Sequence, residues 1–226
     1  MATLFTVSEA WRAAYPGAAV GVLAMADVAN PEQCPALDRR KEELEQELRT
    51  RFAGRTRADI VALPVLKAYD AYYRRFKKTY HVQLQLESVA LKGKSLPRVA
   101  ALVEAMFAAE LQSLLLTAGH DLDTVVLPAG VDVATGREEY TLINGQPQVL
   151  KPGDMFIADR QGVMSSIIYG PDARTRLAPG TRRALFTTYA PPGVDADLVA
   201  QHLRDIQANV LLVAPAAKVE ELAVYS

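Results

Sequence analysis

His120-Asp121-x-Asp123 sets an imidazole and two carboxylates within four residues. Such a set could hold a divalent cation, or the imidazole could act as a general base oriented by a carboxylate. Aspartates in a short polar stretch between apolar segments also make turn hydrogen bonds, and that reading stands beside the chemical one. The chain has only His81, His120 and His202, so a multi-histidine site would recruit nearly all of them; neither a metal nor a cofactor is expected. Lys92-Gly93-Lys94-Ser95 has the ending of a phosphate-cradling loop. Ser88 stands where that loop needs its first glycine, which excludes triphosphate binding by this route. Neither a G-x-G-x-x-G nor a G-x-S-x-G motif occurs.

Residues 67–94 form a second candidate. Lys67, Arg74, Arg75, Lys77, Lys78, Lys92 and Lys94 face only Asp70 and Glu87, an excess of five positive charges. Tyr69, Tyr72, Tyr73, Phe76 and Tyr80 are interleaved with them. Cations that neutralise phosphates beside rings that stack on bases would suit an RNA surface. The alternative is a helix whose aromatic side is core and whose cations are its wet side. Ser165-Ser166 and Thr187-Thr188 are hydroxyl pairs with no adjacent base, and Cys34 beside Pro35 reads as a packed or half-exposed thiol.

The elements that must position these groups follow from periodicity. Leu4-Phe5-Thr6-Val7 reads as a strand, with Ser8 capping a helix that Tyr15-Pro16-Gly17 ends. Residues 18–28 are apolar and suit a buried strand, and 36–52 form an amphipathic helix that Gly54 stops. A helix is expected over 57–76, kinked or restarted at Pro64. In residues 81–90, the alternation Val82-Gln83-Leu84-Gln85-Leu86 favours a strand, although a helix face also fits. Pro97 is expected to open an apolar helix reaching 116, followed by a polar loop over 118–123. Strands and turns then dominate, with a hairpin at Asn144-Gly145, and Asp195 begins a last helix. Helices first and strands later argue for an α+β fold.

With 226 residues, the chain suits a single domain over 1–226 that buries a core without staples. Half the residues are hydrophobic and 23% charged, which excludes a disordered chain. The net charge of −1 excludes broad, sequence-blind phosphate binding, so any nucleic-acid contact must be local. One cysteine excludes an internal disulfide and a cysteine zinc cluster. There is no run of about 18 apolar residues, and the start lacks a basic region ahead of an apolar one, so a cytoplasmic protein without a membrane partner is expected. Oligomeric state is not legible.

Leu91-Lys92-Gly93-Lys94-x-Leu96-Pro97-Arg98, a helix, and then Gly119-His120-Asp121-Leu122-Asp123 resemble the B-three/B-four editing domain of the phenylalanyl-tRNA synthetase beta subunit, in its stand-alone bacterial form. The resemblance continues through Gly136-Arg137-Glu138-Glu139, Lys151-Pro152-Gly153-Asp154, Asp159-x-x-Gly162-Val163 and Asp172-x-Arg174-Thr175. Tyr15-Pro16-Gly17 and the stretch from Pro64 to Tyr69 also fit. It implies an editing-like core over 64–215 with an N-terminal extension over 1–63. It also implies a partner that is tRNA or aminoacyl-tRNA, and hydrolysis of a mischarged ester. The acid–base candidates are then His120, Asp121, Asp123 and Glu138. The substrate-binding candidates are Arg174, Arg137, Lys92, Lys94, Arg74, Arg75, Lys77 and Lys78.

The chain departs from that family where polar helix residues are replaced by Ala100, Phe107 and Glu110, and where Ser165-Ser166-Ile167-Ile168 replaces an arginine-rich strand. It also has no counterpart of the synthetase's ATP-dependent core. These departures keep a second function open, a non-catalytic module binding an amino-acid-like small molecule or a protein.

Overall fold

Val20-Gly21-Val22-Leu23-Ala24-Met25 is apolar at every position because it must be buried on both faces. In the computed structural model, which describes residues 3–226, these residues lie within β2 (Ala19–Ala26). Leu23 and Met25 pack on helices to one side, while Val20, Val22 and Ala24 join the main core on the other. β1 (Phe5–Val7), α1 (Glu9–Ala14), α2 (Pro35–Arg51), α3 (Arg57–Val61), α4 (Pro64–Arg74), α5 (His81–Ala90) and α6 (Ala101–Ser113) complete the first half. The second half holds β3 (Leu116–Asp121), a 3-10 turn (Leu122–Thr124), β4 (Ala129–Val133), β5 (Glu139–Thr141), β6 (Pro147–Val149), β7 (Met155–Ala158), β8 (Val163–Ser166), β9 (Gly170–Pro171), β10 (Ala184–Ala190), α7 (Ala196–Val213) and β11 (Lys218–Tyr225). The fold is α+β.

An antiparallel four-stranded sheet runs β11-β2-β10-β3, and a five-stranded sheet runs β1-β4-β7-β8-β9 with β1 parallel to β4. β5 and β6 form a separate hairpin. Helices α6 and α7 pack on each other and on the four-stranded sheet. Gly21 admits α7 at close range, since a Cβ there would meet Val199 Cγ1 at 2.7 Å.

Several local expectations are decided or corrected. At Pro64 the expected restart occurs and not the kink, giving helices Arg57–Val61 and Pro64–Arg74, because Pro64 has no amide to donate and fits the first turn of a new helix. Residues 81–90 are helical, with Val82, Leu86 and Val89 buried on one side; tertiary packing overrides the short alternation. The helix expected over 97–116 ends at Ser113, where Leu114 turns left-handed at φ 65°. The residues after it form β3, so Ala118-Gly119-His120 is a buried strand end and not a loop. β11 has no forerunner among the expected elements.

The segments expected as a 1–63 extension and a 64–215 core share strands in both sheets. β2 lies inside the four-stranded sheet and β1 at the edge of the other, while β11, beyond 215, pairs with β2. Strand pairing therefore weaves both segments into common sheets. Among the described residues, no helix is long and apolar enough to cross a membrane.

Candidate functional site

A cavity of about 400 Å³ lies along the outer edge of β3, between α6 and the β8–β9 turn. Its walls are mostly apolar, including Val103, Met106, Phe107, Ile167 and Leu177. The polar groups are few: Glu110, Thr117, Ser166 and Tyr189 within, with His81 and Arg176 also on the wall. An apolar enclosure with a few placed polar groups is the ordinary form of a small-molecule site.

Two fastenings shape it. Asn30 Oδ1 accepts from Leu102 N at 2.9 Å, and its Nδ2 donates to Ala178 O at 3.0 Å, so one side chain ties the start of α6 to the segment bearing Leu177. Gly119 lets that segment close in, because a Cβ there would meet Leu177 Cδ1 at 2.7 Å.

Glu110 is 1% exposed. Its Oε1 accepts from Thr117 N at 2.7 Å, across the turn from α6 to β3, while Oε2 has no partner among the described residues. Burial pushes its carboxyl up to about 8, against the pull of the Thr117 amide. At neutral pH it is largely protonated.

Behind β3 runs a buried polar chain. Thr188 Oγ1 lies 3.1 Å from Thr117 Oγ1, which lies 2.6 Å from His202 Nε2. His202 Nδ1 lies 2.8 Å from Ser113 Oγ, whose proton goes to Ala109 O. The imidazole therefore carries its proton on Nδ1, and burial holds its pKa down to about 3.

The sequence candidates are scattered among other tasks. His120 is 0% exposed on β3, with Nδ1 2.7 Å from Thr175 Oγ1 and no partner for Nε2 among the described residues. Burial first, then the nearby Arg174 charge, lowers its pKa to about 3. Asp121 accepts from Asp123 N at 3.1 Å and from Thr181 Oγ1 at 2.7 Å, the turn role. Asp123 pairs with Arg183 at 3.2 Å. Glu138 closes its own loop, accepting from the amides of Thr135, Gly136 and Arg137. Arg174 binds Asp159 through two 2.9 Å hydrogen bonds and lies 3.5 Å from Asp172. Neither these residues nor Arg137, which is exposed, lines the cavity, and His120, Glu138 and Arg174 do not share it.

The basic segment divides as a wet-sided helix does. Tyr69, Tyr72, Tyr73, Phe76 and Tyr80 are all buried, with Tyr69 stacked on Tyr80 at 4.1 Å, so none offers a free stacking face. Of the two readings of this segment, the rings form core and not an RNA platform, because packing consumes their faces. Arg74, Arg75, Lys77, Lys78, Lys92 and Lys94 are exposed. Arg74 pairs with Asp70 at 2.9 Å, and Arg75 lies over Tyr15, Tyr72 and Phe76. Lys94 lines a shallower groove that meets the cavity at His81, which lines both.

Sequence reasoning overlooked Glu110, Thr117, His81 and Arg176 as a set. Glu110 had one signal, a carboxylate in an otherwise apolar helix stretch, Ala105-Met-Phe-Ala-Ala-Glu-Leu.

No protein-family model matches the sequence, and no curated protein matches it. Among solved structures, this chain is similar to an N-terminal fragment of the phenylalanyl-tRNA synthetase beta subunit from Pyrococcus horikoshii, at 9% identity and a TM-score of 0.49. The match covers 100% of this chain and 54% of that one, so the chain spans about half its length. At that level of likeness, the functional reading rests on the geometry of this chain alone.

Proposed function

We propose that the protein binds an amino-acid-like small molecule or group, with its apolar body in the cavity beside β3. One observation carries the reading: a largely apolar space of about 400 Å³ is built around a buried carboxyl with a free oxygen, Glu110, and has an exposed cation, Arg176, on its wall. Apolar walls contribute affinity and the few polar groups set orientation. The four acid–base candidates stand outside this space, which favours binding over hydrolysis.

A second reading has its own support. The groove with Lys94 joins the cavity at His81, a layout suited to an aminoacyl group in the cavity with its RNA end along the groove. Arg74, Arg75, Lys77, Lys78 and Lys92 would then extend the phosphate-contacting surface.

The test is a titration followed by amide NMR shifts, using free amino acids, their amides, and correctly and wrongly charged tRNAs. Shifts confined to α6, β3 and the β8–β9 turn are expected, and they should vanish in Phe107→Trp. Saturable shifts elsewhere, with these positions silent, overturn the cavity reading. Release of amino acid from charged tRNA above buffer would put the hydrolytic reading ahead.

A further inference from the structure

Five other carboxylates with buried side chains in this chain are supplied with cations. Glu104, on the same helix as Glu110, holds Lys41; Glu45 holds Arg49 at 2.9 Å; Glu87 holds Arg57 at 3.0 Å; Asp159 and Asp172 share Arg174. Glu110 breaks the pattern. It is as deeply buried as any of them, yet it has one amide on Oε1 and nothing on Oε2 among the described residues. Among the described residues Asp154 also lacks a cation and a partner on Oδ2, but Tyr72 donates to its Oδ1 at 2.8 Å, and it does not line the cavity. A buried carboxyl left without a donor on one oxygen is unfavourable unless something arrives to satisfy it.

We infer that Glu110 is the recognition site for a protonated primary amine on the ligand, which supplies the cation the protein omits. This deepens the cavity reading and rests on it. The ligand class is an apolar amine whose opposite end, if anionic, meets Arg176.

The surroundings suit that role. From α4 and the turn after it, Tyr69, Tyr73 and Tyr80 lie close enough to feel the Glu110 charge, and all three are neutral at physiological pH because burial raises them. From α7, His202 is neutral and bonded to Thr117. His81 and Arg176, both exposed, line the same cavity. No acid competes for the amine among the wall residues. Empty, the site keeps Glu110 protonated; an incoming ammonium stabilises the carboxylate, and the carboxyl proton leaves to solvent.

Calorimetric titration at pH 7 with phenethylamine and its uncharged counterpart 2-phenylethanol tests this. The amine is expected to bind at least about tenfold more tightly than the alcohol. Repeating the amine titration in buffers of different ionisation enthalpy should show release of close to one proton, a readout needing no variant. Glu110→Gln, if folded by its melting curve, should cost the amine about tenfold and leave the alcohol within about twofold. Equal affinity for the two probes, or amine binding without proton release, overturns the inference and leaves the cavity reading standing. If neither probe binds saturably, both fail.

Discussion

Thr175 Oγ1 gives its proton to Asp172 Oδ1 and lies 2.7 Å from His120 Nδ1, so it must accept from the imidazole. The histidine therefore carries its proton on Nδ1 and buries a bare Nε2. Thr175→Val would strand that donor and should destabilise the protein by about 1–3 kcal/mol, while Thr175→Ser should recover most of the loss. Urea unfolding midpoints at constant m-value check both. An unchanged midpoint for Thr175→Val would remove the assigned role.

Four buried groups shape the pH dependence of stability in opposite senses. His120 and His202 have folded pKa values near 3 against 6.5 unfolded, so the unfolded chain binds their protons first. Their contribution is full above about pH 6.5 and is lost as pH falls toward 3. Glu110 and Asp154 have folded values near 8 and 7, raised by burial, so their contribution is full at acid pH and is lost as pH rises from about 4.5 toward those values. Between about pH 4.5 and 6.5 the two slopes, each about 1.4 kcal/mol per pH unit per group, nearly cancel. A stability plateau is expected there, with loss on both sides. Glu110→Gln should flatten the alkaline limb in denaturant titrations from pH 5 to 9, and a limb identical to wild type would refute the assignment.

Gly119 tests what sets the cavity's size. In Gly119→Ala, the new methyl meets the end of the Leu177 side chain, which can swing aside. The expected result is a change of no more than about 1 kcal/mol in stability but weaker ligand binding, because Leu177 lines the cavity. Unaltered affinity for any cavity ligand would show that this wall is not in contact with it.

Lys41 and Glu104 form a buried ion pair, with Asp38 3.2 Å from the lysine and Val99 N donating to the glutamate at 2.7 Å. Lys41→Met leaves a buried carboxylate unpaired and should cost about 3–5 kcal/mol. Adding Glu104→Gln should restore a substantial part, since the amide remains able to accept from Val99 N. A strictly additive double mutant would mean that the two side chains do not act as a pair.

Much of the local structure was legible because it depends on neighbours in sequence. Ser8 accepts from Trp11 N at 3.0 Å, Asp195 accepts from Asp197 N at 2.9 Å, and Asn144-Gly145 turns the β5–β6 hairpin. Asp121 was legible as a turn residue for the same reason. The sequence leaves residues 81–90 open between strand and helix and gives no strand at β3, because a few alternating or apolar positions do not say which partners they will meet.

By itself the sequence determined an α+β chain with a large core, one thiol, a near-zero net charge and a locally basic segment. Those properties are sums over residues or short-range patterns. Only the tertiary structure decided that the tyrosines beside those cations are core, that His120 is sealed within β3, and that Glu110 lies at a cavity with no counterion among the described residues. Each of those depends on which distant segments pack together, and desolvation follows from packing, not from spacing along the chain.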